Sequence, residues 1–226
     1  YQDHLFNEKQ ILEGTVKQDA EDIQLSHIET IRTLIIASEY RDDDTGAHVG
    51  RIGLYAKQLA ELKGLSEEYI DGLYYASALH DIGKLAIPDS ILQKKGALTE
   101  EEFEQVKQHT IIGERILSNA SISPYLKLGG EVALTHHECW DGSGYPKGLS
   151  GKNIPLAGRI VAICDVYDAL RSPRPYKPAF SHEKAISIIR HGDGRSRPEK
   201  FDPKLLRLFL ANEYVFAKIY ESSSTI

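Results

Sequence analysis

Residues 66–84 read SEEYIDGLYYASALHDIGK, and this segment indicates the fold class. Ser66 is a typical N-cap residue, because its hydroxyl can accept a hydrogen bond from a free amide in the first helical turn. Apolar residues then recur at helical spacing: Ile70, Leu73, Tyr74 and Leu79. The segment therefore predicts an amphipathic helix that packs on a core and runs up to His80, where an imidazole stands beside the Asp81 carboxyl group.

Helical segments separated by short breaks continue on both sides. Before it, an apolar run at helical spacing predicts a helix that stops at Gly64. After it, Thr99 and Glu102 form a capping box that opens another helix. The remaining helices are predicted at residues 125–137, 157–170 and 181–190, with a last one after Pro203. Strand-like alternation is almost absent, so we expect an all-α bundle.

The first 36 residues differ from the rest in their polarity. Residues 1–22 carry only a thin apolar stripe, which predicts a linker helix. A solvated helix and a short coiled coil that joins two protomers both fit this stripe, although sustained heptads are missing. The chain begins with Tyr1 and contains no methionine. We therefore expect a fragment of a longer protein that has a domain upstream.

Composition excludes several classes of function. The chain has 226 residues, 41% of them hydrophobic, and a net charge of −6, which argues against a non-specific nucleic-acid binder. Cys139 and Cys164 are its two cysteines, so no disulfide framework is indicated and a reducing compartment is expected. The sequence lacks both an apolar run of about 18 residues and a signal peptide, so we expect neither DNA binding nor membrane insertion.

Imidazoles and carboxylates recur at separate predicted helices: His48, His80, Asp81, His109, His136, His137 and Asp165. A single histidine of this kind is usually a satisfied core residue or an exposed one. Taken together, these side chains would face burial without partners, and divalent ions would satisfy them jointly. A set of His and Asp without Cys suits iron, manganese, nickel or zinc. Asp81 can bridge two cations about 3.5–4 Å apart, an arrangement typical of phosphoester hydrolysis.

Two motifs make the sequence similar to a known family. HDIGK at residues 80–84 is followed by HHECWDGSGYPKGL at residues 136–149. Residues 139–156 are rich in Gly, Pro, Ser, Asp and Lys, which predicts an irregular loop. With further matches over roughly residues 37–220, they resemble the HD-GYP family of cyclic di-GMP phosphodiesterases. The resemblance implies an HD-type helical bundle with an irregular GYP loop. Together with the polar pattern at the start of the chain, it predicts a linker helix at residues 1–36 and a phosphodiesterase domain at residues 37–226.

The resemblance also implies the metal ligands. One ion is assigned to His48, His80, Asp81 and Asp165. A second is assigned to His109, His136 and His137, with Asp81 shared. Some family members hold a third ion through an acidic residue, usually Glu, four positions before the first histidine. Asp44 stands there in this chain, where it could equally cap the helix. We expect two or three divalent transition-metal ions, iron or manganese.

Substrate contacts follow from the same resemblance, at the positions of Lys84, Tyr145, Arg174 and Lys177. Asp168, three residues after Asp165 on the same helical face, is grouped with them as a carboxylate that orients a ligand. Asp81 and Lys84 are the expected catalytic residues. The bridging carboxylate serves both ions, and the ammonium group of Lys84 meets a phosphate oxygen.

The implied activity is hydrolysis of cyclic di-GMP to pGpG, and further to GMP, by a metal-bridging hydroxide. The family is bacterial, so we expect a cytoplasmic signalling enzyme, the output domain of a response regulator, with diguanylate-cyclase domains as partners. A homodimer through the N-terminal helix also fits. Two alternatives stay open: a non-catalytic module that binds a cyclic dinucleotide or a diguanylate-cyclase domain, and a hydrolase that prefers 3',3'-cyclic GMP-AMP. The loop motif argues against a mononucleotide or alarmone hydrolase.

Overall fold

The computed structural model describes residues 2–39, 46–118, 123–173, 179–194 and 196–223, and all regular secondary structure in these ranges is helical. The α-helices are α1 (Gln2–Glu39), α2 (Gly46–Lys63), α3 (Glu67–Ser77), α4 (Asp89–Leu92), α5 (Glu100–Ser118), α6 (Pro124–Thr135), α7 (Leu156–Arg171), α8 (His182–His191), α9 (Pro203–Ala211) and α10 (Glu213–Ser223). Short 3₁₀ turns lie at Ile82–Ala86, Gly151–Asn153 and Pro198–Lys200. The predicted all-α class is confirmed.

The predicted helix starts are confirmed by their caps. The Ser66 hydroxyl accepts a hydrogen bond from the Tyr69 amide at the start of α3. At the start of α5, the Glu102 amide donates to the Thr99 hydroxyl at 3.2 Å, and the Thr99 amide donates to the Glu102 carboxylate at 2.7 Å. This reciprocal pair is the predicted capping box, and it fixes the register of the helix that carries His109.

Two helices end earlier than predicted. Helix α3 ends at Ser77, three residues before His80, and α6 ends at Thr135 instead of residue 137. In both, a hydroxyl near the end donates back to the carbonyl four residues earlier, Ser77 to Leu73 at 2.5 Å and Thr135 to Glu131 at 2.6 Å. Such back-bonding competes with regular helical geometry. The histidines that follow these two helix ends lie on turns.

Helices α4 and α10 were not part of the prediction, which placed one helix after Pro203. The chain forms α9 and α10 there, with Asn212 between them. The Asn212 side-chain amide donates to the Leu208 carbonyl at 2.9 Å and so satisfies a carbonyl at the end of α9. The break lets α10 turn and place Phe216, which is fully buried, in the core.

The larger core surrounds α7, whose residues Ile160, Val161, Ile163 and Cys164 are fully inaccessible. Aromatic rings from α2, α7, α9 and α10 pack edge to face or tilted in this core: Tyr55, Tyr167, Phe209 and Phe216. Burial of each such side chain contributes about 1.5–3 kcal/mol. Because α7 is enclosed in this way, any carboxylate on it needs partners inside the protein.

The N-terminal helix joins a second core cluster only near its end. Ile31 is fully buried against Leu79 and Ile82, whereas Ile11 is 70% exposed. The division of the chain at residues 36 and 37, and a dimer through α1, remain predictions. Among the described helices, none is long and apolar enough to cross a membrane.

Gly83 allows the 3₁₀ turn after Asp81 to lie directly on α5. A Cβ atom added at Gly83 would overlap the backbone carbonyl of His109 and would lie 2.6 Å from the amide nitrogen of Gly113. Only a glycine permits this approach of two backbones. The contact brings the Asp81 carboxylate within 3.2 Å of the His109 ring.

Candidate metal centre

The structure gathers the seven predicted ligand side chains into two adjacent groups. The first group contains His48 of α2, His80 of the turn after α3, and Asp165 of α7. The second contains Asp81, His109 of α5, and His136 and His137, which follow α6. Within each group, one ligand atom per residue lies within 4.8 Å of all the others. Each group could hold one metal ion; Asp81 falls in the second group, and its sharing between two ions remains a prediction.

Asp81 lies between the two groups. Its Oδ2 atom is 3.2 Å from Nε2 of His80, in the first group. Its Oδ1 atom is 3.2 Å from Nε2 of His109 and 3.7 Å from Nε2 of His136, in the second. Each carboxylate oxygen therefore faces a different group, which is the orientation that a bridging ligand requires.

Backbone carbonyls fix the rings of three of these histidines through Nδ1. The pairs are His80 with Ser77 at 2.9 Å, His109 with Val106 at 2.6 Å, and His136 with Ala133 at 3.0 Å. A carbonyl oxygen can only accept, so each Nδ1 carries the proton and donates it. In the neutral ring, which metal ligation requires, this leaves Nε2 as the lone-pair nitrogen, aimed at the centre of the site.

The inward-facing atoms have no hydrogen-bond partner among the described residues. They are Nε2 of His80, His109 and His136, and Oδ1 of Asp81, all of them buried. An unsatisfied buried polar group costs about 1–3 kcal/mol. Four such atoms converging on one place are a set that divalent cations would satisfy together, so the donor atoms fit the metal ions implied by the resemblance.

The electrostatics of the site favour neutral imidazoles at His109 and His137 and cations near Asp81. Burial lowers the pKa of His109 to about 4 and also lowers that of His137, so both are neutral at pH 7, as metal ligation requires. Burial also disfavours protonation of His80, but the Asp81 carboxylate outweighs it and raises the His80 pKa to about 9. Burial disfavours the Asp81 carboxylate, yet Lys84 and His80 hold its pKa well below the usual value.

Asp168 is a buried residue that contacts His48 on the side of the ring away from Asp165. Its carboxylate accepts from Arg51 Nε at 2.6 Å and from Arg51 Nη2 at 2.8 Å, and its Oδ2 is 2.7 Å from Nδ1 of His48. It is 0% exposed and contacts His48 and Arg51, while its assignment to the substrate-binding positions stays a prediction. Burial opposes its ionisation, but the bonds from Arg51 and His48 lower its pKa to about 2. The charged carboxylate orients His48 towards Asp165.

Replacing Asp168 with Asn should weaken metal binding about 10- to 100-fold, because His48 loses the anion that orients its ring. Titration of the metal-free protein with Mn²⁺ measures the effect. Asp202→Asn is the matched control, since Asp202 is also buried and paired with an arginine, Arg159 at 2.6 Å, away from both ligand groups. Equal loss of affinity in the two variants would mean that Asp168 acts only through general stability.

The GYP loop is tied to the ligand histidines by Glu138, for which the sequence had suggested no role. This buried carboxylate accepts from the amide of Lys147 at 2.7 Å and from that of Leu149 at 2.8 Å. Tyr145 stacks on His137, with ring centroids 4.7 Å apart and an interplanar angle of 30°. The sequence did contain a signal for this role. Glu138 stands directly after a His pair and before a Gly-rich loop, and loop amides without helical partners need hydrogen-bond acceptors.

A cavity of about 500 Å³ opens beside the second group. Its lining includes His136, His137, Asp165 and Tyr145, so the predicted contact Tyr145 faces it together with ligands of both groups. The Lys84 ammonium group lies 2.8 Å from Oδ2 of Asp81, and its contact with substrate stays a prediction. The remaining predicted positions lie outside the described residues: Asp44, Arg174 and Lys177.

Comparison with known proteins gives consistent matches. The family model for the HD domain matches residues 4–205. A cyclic di-GMP phosphodiesterase of Thermotoga maritima is 44% identical over 210 residues, which are 93% of this chain and 56% of that protein. The 3'3'-cGAMP-specific phosphodiesterase 2 of Vibrio cholerae is 43% identical over 201 residues, which are 89% of this chain and 38% of that protein. The chain thus spans about half or less of these relatives.

Among solved structures, a cyclic GMP-AMP-specific phosphodiesterase of Vibrio cholerae superposes with a TM-score of 0.57 at 17% sequence identity. The superposition covers 87% of this chain and 52% of that one. At this level of identity the likeness concerns the fold alone, and it agrees with the all-helical architecture described above.

Proposed function

The chain belongs to the HD domain family, and from this premise we propose that it is a metal-dependent phosphodiesterase that hydrolyses cyclic di-GMP. One observation carries the proposal: Asp81 turns one oxygen to each of two ligand groups, and members of both groups, Asp165 and His136 with His137, line a cavity that could receive a phosphodiester. The relatives that cover most of this chain are named as phosphodiesterases of cyclic dinucleotides, which supports the same substrate class.

Each residue then has a definite task. The two ligand groups would hold two divalent cations, which when bound would supply Lewis-acid charge and make a water-derived nucleophile available near neutral pH. Asp81 holds the two ligand groups in register, and Asp168 orients His48. Lys84 places a positive charge next to the bridge, where it would stabilise charge on a phosphoryl oxygen. Tyr145 offers a ring and a hydroxyl at the cavity wall.

We infer two ions per chain, one for each ligand group. Iron and manganese are proposed because the described ligands are imidazoles and carboxylates, without a thiolate. A third ion at Asp44 remains a proposal, as do substrate contacts of Arg174 and Lys177, because these three residues lie outside the described part of the chain.

Two alternatives compete with this proposal. The name of the Vibrio cholerae relative supports a preference for 3',3'-cyclic GMP-AMP, which needs the same metal chemistry and differs only in one base. A non-catalytic binding module is disfavoured because each of the seven ligand positions carries a ligating side chain.

We further propose pGpG as the first product, with GMP after a second cut. A bacterial cytoplasmic setting, an upstream regulatory domain and contact with diguanylate-cyclase domains belong to the same proposal.

Metal content and activity should fall together. The protein purified without oxygen should contain about two transition-metal ions per chain, from the two ligand groups, or three if Asp44 binds another. Removal by a chelator should abolish hydrolysis of cyclic di-GMP, and adding Mn²⁺ or Fe²⁺ should restore it. Parallel assays with 3',3'-cyclic GMP-AMP rank the two substrates. Full activity of a metal-free preparation, or binding of both dinucleotides without turnover, would exclude the proposed function.

A further inference from the structure

Helix α5 carries two side chains at the cavity that neither the metal site nor the predicted substrate contacts use. Phe103 and Lys107 stand one helical turn apart, and both line the cavity beside His136 and His137. Phe103 is 43% exposed, although it is a large apolar side chain. An exposed aromatic ring at the rim of a polar site is a surface on which a ligand could gain apolar contact.

The rings of His137, Tyr145 and Phe103 form an aromatic wall, which begins at His137, a candidate metal ligand. Tyr145 stacks on His137 at a centroid distance of 4.7 Å. Phe103 meets Tyr145 edge to face, with centroids 6.2 Å apart and an interplanar angle of 79°. The wall therefore runs from the second ligand group outward to the rim, and its two outer rings come from different parts of the chain.

Lys107 places a positive charge on the same wall. Its ammonium nitrogen lies 5.0 Å from the Phe103 ring centroid and 5.6 Å from that of Tyr145. It also pairs with Glu104 at 2.6 Å, but the Glu104 side chain is 60% exposed, and ion pairs with solvent-exposed partners contribute little. Lys107 can therefore exchange this partner for an anionic group of a ligand at small cost.

A cyclic dinucleotide needs such a surface. It carries two phosphates and two bases, and a metal centre that cleaves one phosphodiester leaves the other phosphate and the bases to be bound by side chains. The chain as a whole has a net charge of −6, so attraction for the second phosphate must come from particular cations. Among the described residues that line the cavity, these are Lys107 and Lys200.

Resting on the proposed function, we propose that Phe103 and Lys107 form a substrate subsite in which Phe103 stacks on a nucleobase and Lys107 binds the phosphate that is not cleaved. Base stacking on an aromatic ring tolerates any base, since each base has a π face. The subsite would therefore strengthen binding of cyclic dinucleotides in general and would leave discrimination between guanine and adenine to other contacts.

The test compares KM and kcat for cyclic di-GMP in the metal-loaded protein. Phe103→Ala should raise KM roughly tenfold, as expected for the loss of one stacked base, and Lys107→Gln should raise it by a similar factor while making KM less sensitive to salt. In both variants kcat should change much less than KM, because these residues do not contact the cleaved bond. Phe103→Leu, which keeps an apolar side chain without a π face, should resemble Phe103→Ala.

Tyr214 and Lys218 on α10 are the matched control pair. The Tyr214 ring is 60% exposed, and the Lys218 ammonium group lies 5.8 Å from its centroid at the same spacing of four residues, away from the cavity lining. Tyr214→Ala and Lys218→Gln should leave KM as in the wild type. Unchanged KM in Phe103→Ala and Lys107→Gln, or a rise seen only in Lys200→Gln, would overturn the subsite.

Hydrolysis of bis(p-nitrophenyl) phosphate separates this result from a failure of the proposed function. This reporter is a phosphodiester without a nucleobase or a second phosphate. For Lys107→Gln, the loss of kcat/KM on cyclic di-GMP should exceed the loss on the reporter by about tenfold, because the reporter lacks the second phosphate. Turnover of the reporter without turnover of cyclic di-GMP in the wild type would instead reject the proposed substrate.

Discussion

Asp81→Asn should lower the rate of cyclic di-GMP hydrolysis about a thousandfold and reduce the metal content by at least one ion per chain. The amide keeps the size of the side chain but removes the negative charge that both ligand groups share, at 3.2 Å from His80 and 3.2 Å from His109. Metal-ion stabilisation of transition-state charge is worth several kcal/mol, and about 4 kcal/mol corresponds to a thousandfold in rate.

Elemental analysis and steady-state assays on the same preparation measure both effects. Asp71→Asn is the matched control, because Asp71 lies on α3 but its side chain is 61% exposed and pairs with Lys57 on the surface. That variant should match the wild type in metal content and rate. If Asp81→Asn retained both ions and the wild-type rate, Asp81 would not be the bridge.

Gly83→Ala should be the most destabilising single methyl addition near the site. The new Cβ atom would overlap the His109 carbonyl, and because both contacting atoms belong to backbone, no side chain can rotate away. Overpacking of this kind typically costs up to about 3 kcal/mol, and more where the backbone cannot yield. For a domain of this size, the midpoint of thermal unfolding should fall by roughly 6–12 °C.

The control is Gly50→Ala on α2, where an added Cβ atom would have nothing within 4 Å. That change should be neutral or stabilise the helix by about 0.5–1 kcal/mol. Metal content adds a second readout for Gly83→Ala, since moving the 3₁₀ turn away from α5 separates Asp81 from His109. A melting curve identical to the wild type would show that the two backbones are not in contact.

Local signals in the sequence predicted much of this fold. The caps at Ser66 and at Thr99 with Glu102 are interactions between residues close in the chain, and the structure has them where the sequence places them. The ends of α3 and α6 were harder to predict, because they depend on hydroxyl groups that bond back to carbonyls, and the same residue types are also found inside helices.

Contacts between residues far apart in the chain could not be predicted from the sequence. Asp168 meets His48, which is 120 residues earlier, and Arg51, which is 117 residues earlier. No periodicity links such positions, so a buried pair and a substrate contact were equally consistent with an Asp three residues after Asp165. Phe103 could not be singled out either, because its exposure depends on how the GYP loop folds over α5.

Glu138 links the loop to the two histidines that precede it, so that the loop and these side chains are expected to move together. Its carboxylate is bonded to two loop amides, while the two residues before it are His136 and His137. Any sequence change that reshapes the loop to admit a different ligand will therefore also strain the metal ligands. In related proteins that bind other cyclic dinucleotides, we therefore expect changes in the side chains of α5 that line the cavity. The backbone of the loop should change little.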